Sequence, residues 1–312
     1  MHKGYFGSVR FFKNLILLVV VICIAVPTAL STHYYFSFSE SSAEADELKM
    51  ECASLQSKNA SLTSNLADAQ ALAGFVDGEA PAYQSLFPDF YAGQPLTADK
   101  TADHTIYLTF DDGPSARTPE ILKTLKEENV KATFFVVGKT DKQSLQWMKD
   151  IVAEGHTLGM HSYTHNYKKI YASVEDYLTD MYQLFCLIRD TTGTTPVVFR
   201  MAGGSINGYN YGIYHEILSE MLRRGFVPYD WNLSSGDASE RTIKPEQICQ
   251  NVLSSVDRFS RGFVLMHDSA AKGNTVKALP DLIHELKARG YVFDRLTGDV
   301  KPVLFTYTDY HA

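Results

Sequence analysis

Reactive side chains cluster along the sequence at Asp111-Asp112-Gly113-Pro114, the pair His161 and His165, Arg200, Asp230, and His267-Asp268. Two histidines spaced i and i+4 project to one side if they sit on a helical turn, and can then hold one metal ion. Adjacent aspartates at a strand end point in different directions, so one can ligate a metal while the other reaches a bound water. Each feature also has a plainer explanation. Asp-Asp-Gly-Pro is a good turn, an H-x-x-x-H pair can lie on a surface, and His267 can be a satisfied buried histidine. Their joint position in the chain is what favours chemistry.

That position is set by the elements around them. From about residue 100 to the C-terminus, apolar runs alternate with helical patterns, which predicts a parallel α/β sheet. Seven strands are expected, beginning near Thr105, Lys131, His156, Pro196, Phe226, Gly262 and Gly290. Helix starts are readable at Thr118 before Pro119, and at Ser173 with Asp176 following. The strands ending at Asp111, His161, Arg200, Asp230 and His267 carry titratable side chains at their C-terminal ends, where parallel barrels gather their active sites.

Composition narrows the chemistry. With 45% hydrophobic and 21% charged residues in 312, the chain sustains a folded core, which excludes a wholly disordered or fibrous protein. The four cysteines (Cys23, Cys52, Cys186, Cys249) form no C-x-x-C pair. A thiolate zinc finger and a disulfide scaffold are thereby excluded, and any metal falls to histidine and carboxylate. A formal charge of -7 excludes electrostatically driven nucleic-acid binding.

Ahead of this domain, residues 1–13 carry Lys3, Arg10 and Lys13 without an acid, and an apolar run from Leu15 to Val26 follows. The layout predicts a basic cytoplasmic N-terminus over 1–13 and a transmembrane anchor over 14–30, with a cleaved signal peptide as the alternative. Either places the remainder outside the cytoplasmic membrane. Residues 31–99 are expected to form a stalk and linker. Within them a heptad puts Ala45, Cys52, Asn59, Leu66 and Ala73 at a and Leu48, Leu55, Leu62, Ala69 and Val76 at d. This is a short coiled-coil pattern that would make a homodimer, a monomeric spacer being the alternative. Residues 100–312 are expected to be one domain.

Thr109-Phe-Asp-Asp-Gly-Pro114, His161-Ser-Tyr-Thr-His165, Asp230-Trp231 and Leu265-Met-His267 resemble the motifs of the polysaccharide deacetylases of the NodB-homology type, carbohydrate esterase family 4. The resemblance runs over about residues 100 to 297. It implies a distorted (β/α)7 barrel that removes acetyl groups from N-acetylglucosamine-containing or otherwise acetylated polysaccharides. It also implies zinc, or another divalent metal such as cobalt, on Asp112, His161 and His165. Asp111 would be the general base, kept ionised and oriented by Arg200. His267 would be the general acid, paired with Asp230, which raises its pKa. The Gly203 N–H would stabilise the oxyanion, and Trp231 and Leu265 would form the pocket for the acetyl methyl. The third motif departs: Arg200-Met-Ala-Gly-Gly-Ser205 carries Ala202 where the family has proline, so a less rigid turn is expected. The expected substrate is N-acetylglucosamine of cell-wall peptidoglycan. The alternatives are an esterase for O-acetyl polysaccharides and a catalytically weak glycan-binding scaffold of the envelope.

Overall fold

The computed structural model describes residues 80–93, 97–238 and 243–306, so the expected anchor over 14–30 and the heptads over 45–76 lie outside the described residues. No described helix is long and apolar enough to cross a membrane.

The fold is organised around β1 (Thr105–Gly113), a strand buried along nearly its whole length. Alternation sends Ile106, Leu108 and Phe110 into the larger core beneath the helices. Tyr107 points the other way, into a smaller core with Phe135, Val198, Val227, Tyr229 and Phe263. Burial on both faces is the normal state of a parallel strand. On one side of β1 follow β2 (Thr133–Val137), β3 (Thr157–Ser162), β4 (Val198–Phe199) and β5 (Val227–Pro228). On the other lie β7 (Arg261–His267) and then β6 (Leu233–Ser234). All these ladders are parallel. The last strand, β8 (Val292–Phe293), pairs with Thr105 and Ile106, below the β2 ladder that begins at Thr109.

Among the described residues the sheet therefore has eight strands where the sequence predicts seven, and it is an open half-barrel. Leu233–Ser234 escapes a reading by apolar runs because it is two residues long in a polar stretch. Among the described residues no ladder joins β5 to β6. The chain between them is bonded elsewhere: Tyr229 N donates to Phe199, Asp230 N to Val303 and Asn232 N to Phe263.

Helices α1 (Thr118–Glu127), α2 (Lys142–Ala153), α3 (Tyr167–Ile170), α4 (Val174–Thr192), α5 (Tyr214–Arg223), α6 (Pro245–Leu253) and α7 (Gly273–Ala288) separate the strands. α4 begins as expected, with Ser173 Oγ accepting from Asp176 N at 3.0 Å, and ends at Gly193 in the left-handed region. Its buried stripe of Tyr177, Leu178, Met181, Leu184 and Phe185 also contains Asp180, a carboxylate on an otherwise apolar face. α1 likewise begins where the sequence places a start, with Thr118 as its first residue and Pro119 in its first turn.

The stretch 80–93, read from sequence as part of the linker, packs on this core. Phe90 is fully buried against Phe185 and Phe226, with ring centroids 5.1 and 4.8 Å away. The buried Arg224 guanidinium, paired with Glu220 at 2.6 Å, donates to the carbonyls of Leu86, Phe87 and Phe90. With the Tyr83 carbonyl, five partners satisfy a charge that would otherwise be costly to bury.

Candidate active site

Two irregularities in the sheet create the site. The β1–β2 register slips between Asp111 and Gly113, and the β2–β3 register slips between Val136 and Val137, opposite His161. Such bulges re-aim side chains. At the first, Asp112 adopts φ 70, a left-handed conformation that aspartate tolerates better than most residues. Strict alternation would separate neighbouring aspartates, but here both carboxylates reach one cavity.

His161 and His165 do not lie on a helical turn as expected. His161 is the penultimate residue of β3, and His165, at φ 51, closes a tight loop before α3. Asp180 builds that loop from beneath. It accepts from Ser162 Oγ at 2.7 Å, Tyr163 N at 2.6 Å, and Thr164 N and Oγ1 at 2.9 and 2.7 Å. Ser162 Oγ in turn accepts from His165 N at 2.9 Å. The result is a ring-centroid separation of 5.2 Å between the two imidazoles.

Asp112, His161 and His165 offer donor atoms that all lie within 4.8 Å of one another. Asp112 Oδ1 is 3.2 Å from His165 Nε2 and 3.7 Å from His161 Nε2. His161 Nδ1–H donates to the Arg200 carbonyl at 2.8 Å, which turns a bare Nε2 toward the cluster. Burial, with the neighbouring His161, holds the His165 imidazole below its ordinary pKa, a shift toward the neutral form that can bind a metal. One carboxylate and two oriented imidazoles are a donor set suited to zinc or a similar divalent transition metal. The residues fit such a cofactor.

Asp111 sits at the base of the cavity, held by Arg200. This guanidinium is fully buried and donates to Asp111 Oδ1 at 2.9 Å, Thr109 Oγ1 at 2.7 Å, and the carbonyls of Tyr229 and Asp230 at 2.9 Å each. It also lies over the Phe135 ring at 4.4 Å. One arginine thus ties β1 to β4 and to the chain after β5, and orients one oxygen of Asp111.

Across the cavity, the expected Asp230–His267 pairing is not what the structure shows. His267 Nδ1 lies 2.7 Å from Asp237 Oδ1, while Asp237 Oδ2 accepts from His267 N and Thr275 Oγ1, both at 2.9 Å. Burial alone would lower the imidazole's pKa, but the hydrogen bond and charge of Asp237 outweigh it and leave His267 above its ordinary value. Asp230 does a different job. It accepts from Ser205 N at 2.8 Å, from Ser205 Oγ, and from Phe305 N at 2.7 Å. It therefore pins the turn carrying Gly203 and the C-terminal segment. Burial raises its own pKa, and these bonds oppose the shift.

The turn after Arg200 is also firmer than its alanine suggested. The Ala202 carbonyl accepts from Tyr171 OH at 2.7 Å and Asn207 Nδ2 at 3.2 Å. Gly203, at φ 80, occupies a place where a Cβ would stand 2.7 Å from the Tyr167 ring, so glycine is required there. Among the described residues the Gly203 N–H meets no acceptor. Gly203, Trp231 and Leu265 line the same cavity of about 400 Å³ as Asp111, Asp112, His161, His165 and His267.

The model of a family described as polysaccharide deacetylase matches residues 98–218. A peptidoglycan-N-acetylglucosamine deacetylase of Bacillus cereus is 38% identical over 192 residues, 60% of this chain and 67% of that protein. The chain belongs to the polysaccharide deacetylase family. Among solved structures, the catalytic domain of a peptidoglycan N-acetylglucosamine deacetylase from Eubacterium rectale matches with a TM-score of 0.61 at 37% identity, over 66% of this chain and 94% of its own. A polysaccharide deacetylase from Bacillus cereus matches with a TM-score of 0.56 at 36% identity, over 62% and 92%.

Three residues of this deacetylase-fold site carry no role in the sequence reading. Asp237 lies in a Ser-Ser-Gly-Asp loop that reads as an ordinary turn. Asp180 could have been found as the acid on the apolar face of α4. Asp268 follows His267 and accepts from Ser115 Oγ at 2.9 Å and Thr118 Oγ1 at 2.5 Å, while its N–H donates to the Asp111 carbonyl at 2.7 Å. Burial pushes its pKa up to about 7 against those hydroxyls.

Proposed function

We propose that the chain is a metal-dependent hydrolase that removes acetyl groups from N-acetylglucosamine units of a cell-wall polysaccharide, most simply peptidoglycan. The observation that carries the reading is the sharing of one cavity by Asp111, the Asp112–His161–His165 cluster and the Asp237-supported His267. The peptidoglycan-directed names of the relatives support the choice of glycan.

A zinc or similar ion held by Asp112, His161 and His165 would polarise the acetyl carbonyl and acidify a water. Asp111, oriented by Arg200, takes a proton from that water as its oxygen bonds to the carbonyl carbon. The negative charge that develops on the carbonyl oxygen meets the Gly203 N–H. The methyl rests against Trp231 and Leu265. His267, with Nδ1–H committed to Asp237, gives its Nε2 proton to the sugar nitrogen as the carbon–nitrogen bond breaks, releasing acetate and the amine. The apolar run over 14–30 would anchor the protein with this domain outside the cell, and the heptads would pair two copies.

Acetate release from N-acetylglucosamine oligomers, measured with and without a chelator, tests the proposal. Release that the chelator abolishes and added zinc restores is expected. Binding of the oligomers without acetate release would leave a glycan-binding scaffold instead.

A further inference from the structure

Tyr209 exposes 55% of its surface although it is a large aromatic residue on a firmly built loop. The loop is cross-linked by two asparagines. Asn207 Oδ1 accepts from Tyr209 N at 2.9 Å and Asn210 N at 3.2 Å, and Asn210 Oδ1 accepts from Asn207 N at 2.8 Å. Their amides reach back to the carbonyls of Gly204 and Ser205 at 3.2 to 3.3 Å. Tyr209 is thus fixed relative to the Gly203 turn, and more than half of its surface is held in solvent by the way the loop is built.

The ring does not stand alone. Its centroid is 5.3 Å from that of Tyr167 at an interplanar angle of 50°, and Tyr167 is 5.4 Å from His165 at 82°. Tyr167 lines the active cavity, and Tyr209 continues its aromatic surface outward. The row His165, Tyr167, Tyr209 therefore leads from the metal-ligand cluster to solvent. An aromatic face carries partial negative charge. A pyranose ring offers the complement, a face of polarised C–H groups between hydroxyls, and a polymer entering this cavity must place its neighbouring sugar somewhere along the rim.

Resting on the function proposed above, we propose that Tyr209, backed by Tyr167, is a stacking subsite for the sugar next to the one being deacetylated. The protein is thereby specific for glycan chains over single sugars.

The test uses the full chain carrying Asp111→Asn, so that binding is read without turnover, and two probes, N-acetylglucosamine and its β-1,4-linked tetramer, by titration calorimetry. The tetramer is expected to bind more tightly than the monomer. Tyr209→Ala should weaken the tetramer roughly threefold to tenfold, the range for one aromatic contact, while leaving the monomer unchanged. Tyr209→Phe should restore tetramer binding, since the ring and not the hydroxyl does the stacking. A tetramer that binds no better than the monomer, or whose affinity survives Tyr209→Ala, overturns the subsite. Equal weakening of both probes would mark a loop defect and overturn it as well. Tight, Tyr209-dependent tetramer binding in a chain whose unmutated form releases no acetate would uphold the subsite and sink the deacetylase reading instead.

Discussion

Asp237 Oδ1 lies 2.7 Å from His267 Nδ1, a partnership between a loop after β6 and the end of β7 that leaves Asp230 free to pin the Gly203 turn. It raises the pKa of the imidazole facing the cavity and fixes its tautomer.

The first prediction follows from that pair. A general acid must be protonated, so activity falls as pH rises through the His267 pKa, which Asp237 holds above its ordinary value. Asp237→Asn removes the charge, lowers that pKa, and should move the alkaline limb of the pH–rate profile to lower pH. Turnover near neutrality should drop at least about tenfold. Asp230→Asn should also slow the reaction, by loosening Ser205 and Phe305, but without moving the limb. An unmoved limb in Asp237→Asn would reject the pairing as the source of the raised pKa.

Under the proposed function, metal retention should depend on residues that would touch no metal. Asp180→Ala removes the acceptor for Ser162, Tyr163 and Thr164, so His165 loses its fixed position. Zinc affinity, read by chelator competition, should fall about 10-fold to 100-fold. His161→Ala should cost more, since it deletes a donor outright. Wild-type zinc content in both would refute the assignment.

Asp111→Asn retains an oxygen acceptor for Arg200 but cannot take a proton from water. We expect a loss of about 10²-fold to 10⁴-fold in turnover with metal content unchanged. Leaving the buried Arg200 without a carboxylate should also lower the melting temperature. Calorimetry and acetate release on the same sample check both.

Because Tyr171 and Asn207 already hold the Ala202 carbonyl, Ala202→Pro has little freedom left to remove. Its effect on turnover should stay below about threefold, at or under the usual stabilisation from proline. Tyr171→Phe, which deletes a buried hydrogen bond worth about 1 kcal/mol, should slow the reaction more than Ala202→Pro changes it. Kinetics of the two variants side by side decide between tyrosine and residue 202 as the support of the turn.

At the opposite end of the sheet, burial pushes the His156 pKa down to about 4, and its Nδ1 accepts from Ala132 N at 3.1 Å. A depressed folded-state value means its contribution is intact above the unfolded pKa, near 6.5, and is lost as pH falls toward 4. The loss is about 3 kcal/mol at most, from roughly 1.4 kcal/mol per unit. His156→Gln should flatten the decline of melting temperature between pH 6.5 and 4. A decline of unchanged slope would show that other groups govern acid unfolding.

Much of this was legible in the residue order. Alternating and continuous apolar runs reveal parallel strands because each strand is buried on both faces, and Asp111, His161, Arg200 and His267 stand where those runs stop. Such patterns are local, so the chain displays them before it folds. Residue order therefore placed Asp111, His161, Arg200 and His267 at or beside strand ends, but it named the wrong aspartate for His267. How these groups come together is fixed only by long-range packing. Whether Asp112 joins Asp111 depends on a register slip against β2, and His161 and His165 are brought to one cavity by the loop that Asp180 holds from a helix, with no helical turn involved. Which aspartate serves His267 depends on how a loop packs between α7 and β7, because a hydrogen bond needs its partners within about 3 Å and residues distant in the chain reach that separation only when the sheet is assembled.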